Sequence, residues 1–242
     1  MAEQNNDLIA GRNAVSEALR SQRSINKILL QEGAHGGSLG EIIALAKQKG
    51  VPVETVKAEK LDKLAKGLRH QGVAALAAPI AFRTLDDVFA RAAEKNEEPF
   101  ILLLDELQDP QNVGALIRSA DAAGVHGVLM PRNAVVAKIS AGAVEYVPVV
   151  QIGNIAQTIE ELKQRGCWVV GADMDGVDFY AANMSGPIVL VIGAEGRGLG
   201  RLVKQKCDDV VSIPMNGGVN SLNASAAGAV LMYEVVRQRH QF

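Results

Sequence analysis

Apolar residues fall along this 242-residue chain in two rhythms. Short apolar runs bounded by Gly, Pro or charge read as strands: INKILLQEG, VPVETV, GVAALAAPI, PFILLLDEL, VHGVLMP, CWVVGADM, Ile188–Ile192 and Val210–Ile213. Between them, spacings of three and four residues read as helices. LIAGRNAVSEALRS puts Ala14, Val15, Ala18 and Leu19 on one face, and AEKLDKLAKG is a short helix with a basic face. Ser38 is placed to cap LGEIIALAKQKG, with Glu41 completing a capping box and Gly50 ending the helix. Thr84 caps LDDVFARAAEK, and Asp86 and Asp87 in its first turn favour the helix dipole. A polar loop, Gln108 to Gly114, leads into ALIRSADAAG; a further helix-like stretch holds Lys138 and Glu145; Asn154 caps NIAQTIEELKQRG. This alternation predicts an α/β fold. The break NEEP after the Thr84 helix sets the organisation as residues 1–80, a linker helix at 81–98, and a second domain at 99–242.

The last fifth of the chain organises the rest. Two of its strand runs empty into Gly-rich loops, Gly193 to Gly198 and Met215 to Leu222. The second loop feeds a helix opened by Asn223, Ala224, Ser225, Ala226, Ala227 and Gly228. Small residues at a helix start let a ligand or another backbone approach closely, so this segment reads as a pocket made of main chain. No GxGxxG follows the PFILLLDEL strand, which argues against a dinucleotide site there. Asp173, Asp175 and Asp178 lack the Gly and terminal Glu of a calcium loop and read as a polar surface turn. His126 reads as structural. The loop Gly67-Leu68-Arg69-His70-Gln71-Gly72 is either a solvated connection or an RNA contact, with Arg69 on a phosphate and His70 or Gln71 on a base edge.

Charge changes the picture slightly. The chain carries a net charge of −2, but residues 1–80 hold 11 Lys+Arg against 8 Asp+Glu, and residues 81–242 hold 14 against 19. A basic front half suits a polyanion. Cys167 and Cys207 have neither CxxC spacing nor a nearby His cluster, so no metal is expected. Met1 to Asp7 lacks the apolar region of a signal, and no apolar run approaches the roughly 18 residues of a membrane helix, so the expected location is cytoplasmic, with no membrane partner.

Three runs now stand in order: Asp105…Asp109-Pro110-x-Asn112-x-Gly114-x-x-x-Arg118-Ser119-Ala120; Gly193-Ala194-Glu195-Gly196-x-Gly198; and Ile213-Pro214-Met215…Ser221-Leu222-Asn223-x-Ser225. Together they resemble the three motifs of the SpoU/TrmH family of RNA ribose 2′-O-methyltransferases. The front half, with Gly11-Arg12-Asn13-Ala14-Val15 and His70-Gln71-Gly72-Val73, is similar to the ribosomal-protein-like substrate-binding domain of members that modify ribosomal RNA. The resemblance implies a SPOUT-type α/β domain with a deep trefoil knot, an obligate homodimer, and S-adenosylmethionine as cofactor. It places the cofactor at Gly193, Ala194, Gly196, Ile213, Met215 and Leu222, the active site at Asn112, Arg118, Glu195, Ser221 and Asn223, and RNA contacts at Arg12, Arg69, His70 and Gln71. It implies a guanosine of 23S ribosomal RNA as substrate; a transfer-RNA guanosine, or a non-catalytic RNA-binding dimer, are the alternatives. The chain departs from the family at residues 132–141, where its loop is shorter.

The chemistry asks for in-line positioning of an activated methyl and a ribose hydroxyl, and for help with proton loss from that hydroxyl. Arg118 is either the base or the clamp on the neighbouring phosphate; a guanidinium with pKa above roughly 12 favours the clamp. It is also able to pair with Asp121 or Glu195. Asn112 and Asn223 hold ribose or phosphate, or cap their helices. Glu195 orients Arg118 or meets the methionine amine, and Ser221 is an active-site group or a cap.

Overall fold

A computed structural model describes residues 7–21, 23–78, 82–107, 109–132 and 147–240. The chain divides into two compact units that meet in sequence between residues 81 and 82.

The first unit contains β1 (Asp7–Ala10), α1 (Arg12–Arg20), β2 (Ile25–Gln31), α2 (Gly37–Gln48), β3 (Val53–Val56), α3 (Ala58–Ala65) and β4 (Val73–Ala77). Its sheet runs β1-β4-β2-β3, antiparallel except for the β2–β3 pair. Strand alternation serves two layers. Ile9, Ile28, Val73, Ala75 and Ala77 pack against Val15, Ala18 and Leu19 of α1 and Leu39, Ile42 and Ala46 of α2. Leu29, Val56 and Ala74 pack on the other face against Leu61 of α3.

Two local expectations are corrected here. The run beginning at Leu8 is not one helix: Leu8 to Ala10 form β1, because Gly11, at φ 103, breaks the chain between strand and helix. Ser38 does not cap α2. The N-cap is Gly36, with no side-chain cap bond, while the Ser38 hydroxyl accepts from Arg12 and Glu41 pairs with Arg20.

The second unit contains α4 (Leu85–Glu94), β5 (Phe100–Leu104), α5 (Pro110–Ala122), β6 (Gly127–Pro131), β7 (Val149–Ile152), α6 (Ile155–Gln164), β8 (Trp168–Asp178), β9 (Ile188–Ile192), α7 (Arg201–Lys206), β10 (Asp209–Ser212) and α8 (Ala224–His240). Six parallel strands run in the order β10-β8-β9-β5-β6-β7. Strands this apolar, covered on both faces, are what a parallel sheet requires. One face carries α4, α6 and α7, through Val88, Ile159, Leu162 and Val203 over Ile101, Leu103, Val189 and Val191. The other face carries α5 and α8, which approach so closely at Gly228 that a Cβ there would lie 2.3 Å from a Leu116 methyl.

The stretch read as a linker therefore supplies a wall of the second unit. Thr84 and Asp87 form the capping box of α4, and Val88 packs into the core against Gly127. The helix after β5 begins earlier than the loop reading allows: Asp109 caps it and Pro110 opens it, so Asn112 and Gly114 are helical. β7 emerges from the end of a stretch read as helix-like; the part around Lys138 and Glu145 lies outside the described residues. Asp173 and Asp175 are not in a surface turn. They lie within β8, where the register against β10 jumps from Gly171–Val210 to Val177–Val211, so that residues 172–176 have no paired partner on β10.

The strand order creates a switch point. From β5 the chain moves out through β6 to β7, then returns beyond β9 to β8. The connection after β5 goes to the α5 face and that after β9 to the α7 face. In open parallel sheets the crevice at the carboxyl ends beside such a point receives ligands.

Candidate functional site

The loop after β9 is folded tightly on itself and tied down from two sides. Gly198 N–H donates to the Ala194 carbonyl at 2.9 Å, and a Cβ on Gly193 would stand 2.2 Å from the Gly198 carbonyl oxygen. Asp105, at the end of β5, accepts from Gly200 N–H at 2.8 Å; Asp173, on the β8 bulge, accepts from Leu199 N–H at 3.2 Å. Burial raises the Asp105 pKa, and the Gly200 N–H opposes that rise. Gly198 has φ +66, and a Cβ there would meet the Asp173 carboxylate at 2.7 Å. Asp105 opens the first motif run but has no role assigned there, and Asp173 reads as part of a surface turn; their partners lie 95 and 26 residues away.

This frame presents Glu195 to two asparagines. Glu195 Oε1 accepts from Asn112 Nδ2 at 2.8 Å and from Asn223 Nδ2 at 2.5 Å, while Asn223 Nδ2 also donates to Asn112 Oδ1 at 2.9 Å. One residue from each of the three motifs thus meets in a single hydrogen-bonded cluster. Asn223 also caps α8: its Oδ1 accepts from Ser225 N–H at 2.9 Å and Ala226 N–H at 3.3 Å. Cap and cluster are therefore two uses of one side chain. Arg118 lies nearly two turns beyond Asn112 on α5, exposed and outside this cluster, and the Glu195 carboxylate is held by the asparagines.

Two cavities flank Glu195. One, of about 430 Å³, lies at the carboxyl ends of β8, β9 and β10 and is lined by all six candidate cofactor residues, Gly193, Ala194, Gly196, Ile213, Met215 and Leu222, together with Ser221. The other, of about 350 Å³, is lined by Glu106, Leu107, Asp109, Asn112 and Arg197. Ala194 and Glu195 belong to both walls. The first cavity has the size of a small-molecule site. Its apolar walls come from Ile213, Met215, Leu222 and Leu231. Among the described residues the main chain of 214–222 makes no hydrogen bond to the rest of the protein, so its polar groups are available to a ligand. Ala224 and Ala227 keep the helix start low enough to line this cavity, whereas Gly228 serves the α5–α8 contact.

Among the described residues neither cysteine nor His126 is placed to act as a competing nucleophile. Burial pushes the Cys167 and Cys207 thiols up to about 11. His126 is buried, accepts from Phe100 N–H at its Nδ1 and meets Glu97 at its Nε2, a structural arrangement. Among the described residues no cluster of His, Cys, Asp and Glu could hold a metal ion, and no helix is long and apolar enough to cross a membrane.

In the first unit the candidate RNA residues gather at one end of the sheet. The Arg12 guanidinium donates to the Gln71 carbonyl at 3.0 Å, to Ser38 Oγ at 3.2 Å and to the His35 carbonyl at 3.2 Å. His70 meets Asp62 at 2.9 Å and accepts from Gly72 N–H at 3.1 Å. Arg69 is exposed beside them. Arg12, His70 and Gln71 thus set the loop that presents Arg69.

Comparison with known proteins agrees with this arrangement. Residues 99–233 match the SpoU rRNA Methylase family, and residues 8–82 match the RNA 2′-O ribose methyltransferase substrate-binding family. The chain is 48% identical to the Bacillus subtilis protein YacO, named for the TrmH family of tRNA/rRNA methyltransferases, over 98% of each chain. Among solved structures it is similar to the SpoU methyltransferase AviRb of Streptomyces viridochromogenes, solved with its cofactor AdoMet, at 27% identity and a TM-score of 0.77, covering 97% of this chain and 91% of that one. The TrmH/SpoU tRNA-modifying enzyme of A. aeolicus matches over 64% of this chain and 85% of its own, with a TM-score of 0.56 and 27% identity. Three motifs meeting at one carboxylate, on a sheet and a front unit that both match family members, have one reading: the chain belongs to the SpoU rRNA methylase family.

Proposed function

We propose that this SpoU-family enzyme transfers a methyl group from S-adenosylmethionine to the ribose 2′-hydroxyl of a guanosine in 23S ribosomal RNA, an RlmB-type activity. The observation that carries the reading is the shared wall of Ala194 and Glu195 between two cavities. A cofactor in the first cavity and a nucleotide in the second would meet at that wall. The apolar sides and available main chain of the first cavity fit an adenosine. Bound there, S-adenosylmethionine supplies an electrophilic methyl. The chain's own residues do the rest by positioning: Glu195, Asn112 and Asn223 fix one another and offer hydrogen bonds to the ribose, Ser221 lies at the mouth of the cofactor cavity, and Arg118 clamps a substrate phosphate.

The ribosomal target rests on the front unit, which matches a substrate-binding family and holds Arg12, Arg69, His70 and Gln71 at one end. The tRNA-modifying relative matches only 64% of this chain. The same reading places the enzyme in the cytoplasm. It makes the enzyme a homodimer, which the exposed Val230 and Tyr233, one turn apart on α8, support. It also threads the C-terminal segment as a trefoil knot, in keeping with the family.

The test is transfer of labelled methyl from S-adenosylmethionine to undermodified 23S fragments and to transfer RNA, side by side, with Arg118→Ala as control. Label recovered as 2′-O-methylguanosine in the ribosomal fragment, and lost in the variant, is the expected result. Label in transfer RNA alone would overturn the ribosomal target and keep the chemistry. No label in either RNA and no cofactor binding would overturn the reading.

A further inference from the structure

We propose that Arg197 and Arg201 form a phosphate grip for the substrate RNA at the lip of the methyl-transfer cleft. The inference rests on the RNA-methyltransferase reading above and adds an RNA contact that the motifs do not contain: Arg197 occupies the variable position between Gly196 and Gly198, and Arg201 follows the loop as the first residue of α7.

Three observations converge. First, both guanidinium groups are exposed, and among the described residues neither makes a hydrogen bond or ion pair. Their neighbours on the same segment are neutralised: Lys204 pairs with Asp173 and Asp175, and Lys206 with Glu160. The two arginines therefore keep their charge for an outside partner. Second, they flank the reaction centre. Arg197 lines the nucleotide cavity with Asn112 and Glu195, Arg201 lines the larger neighbouring cavity with Asp105 and Asn154, and the two share a surface hollow. Third, the backbone between them is fixed. Leu199 N–H is held by Asp173 and Gly200 N–H by Asp105, so the arginines are presented from a preorganised segment.

The charge layout orients the ligand. Glu106, Asp109 and Glu195 line the nucleotide cavity and repel phosphate. A strand whose ribose reaches Glu195 is thereby pushed to lay its phosphates along the arginine edge. A planar guanidinium is suited to that edge, because it pairs with two phosphate oxygens at once.

The test measures binding of the RNA that accepts methyl in the assay above, across a series of salt concentrations, for the wild type, R197Q/R201Q and R197K/R201K. Cofactor affinity and thermal stability are measured in parallel. With the grip in place, the glutamine variant binds RNA about tenfold more weakly at low salt, and its log–log salt slope falls by about 1.4, or about 0.7 per lost single-strand contact. Its cofactor affinity and melting temperature match the wild type, its loss appears in KM more than kcat, and the lysine variant recovers most of the salt slope. An unchanged affinity and slope in a folded, cofactor-binding R197Q/R201Q protein would overturn the grip while leaving the methyltransferase reading intact. Failure of the wild type to bind either RNA would overturn both.

Discussion

Glu195 shows how one side chain turns three distant segments into a site. One carboxylate oxygen receives Asn112 and Asn223, so each residue fixes the other two. Removing Asn112 takes one support from each partner and leaves the Asn223–Glu195 bond between them. Asn112→Ala should lower turnover by about 10²-fold, the scale of a small misplacement of reacting groups, and leave cofactor affinity nearly unchanged, because Asn112 lines the smaller of the two cavities beside Glu195 and not the one proposed for the cofactor. A comparable loss in cofactor binding would sink that assignment. His126 tests a different residue-scale claim. Burial lowers its pKa from 6.5, against the pull of Glu97. The unfolded chain then takes up more protons as pH falls through 6.5, so the contribution of His126 is full above that pH and is lost below it. The melting temperature should fall between pH 7 and pH 5 more steeply in the wild type than in His126→Gln. Equal slopes in the two proteins would show that the histidine does not carry that dependence.

At the scale of elements, the loops are positioned by what lies beneath them. α4 is held by the Thr84–Asp87 capping box and buries Val88 against Gly127 in the core under β6. Thr84→Ala should cost about 1 kcal/mol in denaturant unfolding. A cost near zero would mean that packing alone secures the helix. α8 and α5 meet through Gly228, and the same contact sets the height at which Asn223 enters the cluster. The small residues at the start of α8 were legible as a place of close approach. That Gly228 answers to Leu116 while Ala227 answers to the cavity follows only from the helix pairing.

For the whole molecule, the proposed homodimer makes a prediction about mass. Sedimentation should give twice the 25.6 kDa chain mass, and Tyr233→Glu, which places a charge on the exposed apolar stripe of α8, should shift it toward one chain. A wild-type protein that sediments as a monomer would contradict the homodimer. Much was legible beforehand at this scale, because each signal is local. Short apolar runs mark β2 to β6, β9 and β10, and the three motifs mark their own loops. The misreadings also have local causes. β1 reads as part of a helix because Leu8 to Ala10 fit either period, and β8 reads short because a bulge carrying aspartates looks like a turn.

Local sequence is enough for the alternation of strands and helices, the glycine loops, the caps at Thr84 and Asn154, and the residue types the chemistry needs. These follow from backbone sterics and from which side chains water excludes, and both act over a few residues. Tertiary packing alone sets β9 between β5 and β8, so that the loops after Leu104 and Ile192 share a crevice. It alone paired Asp105 with Gly200 and Asp173 with Leu199, drew Asn112, Glu195 and Asn223 into one cluster, and left Arg197 and Arg201 at its edge. Such contacts depend on strand order and on the path of the chain over the sheet, and no local spacing of residues encodes them.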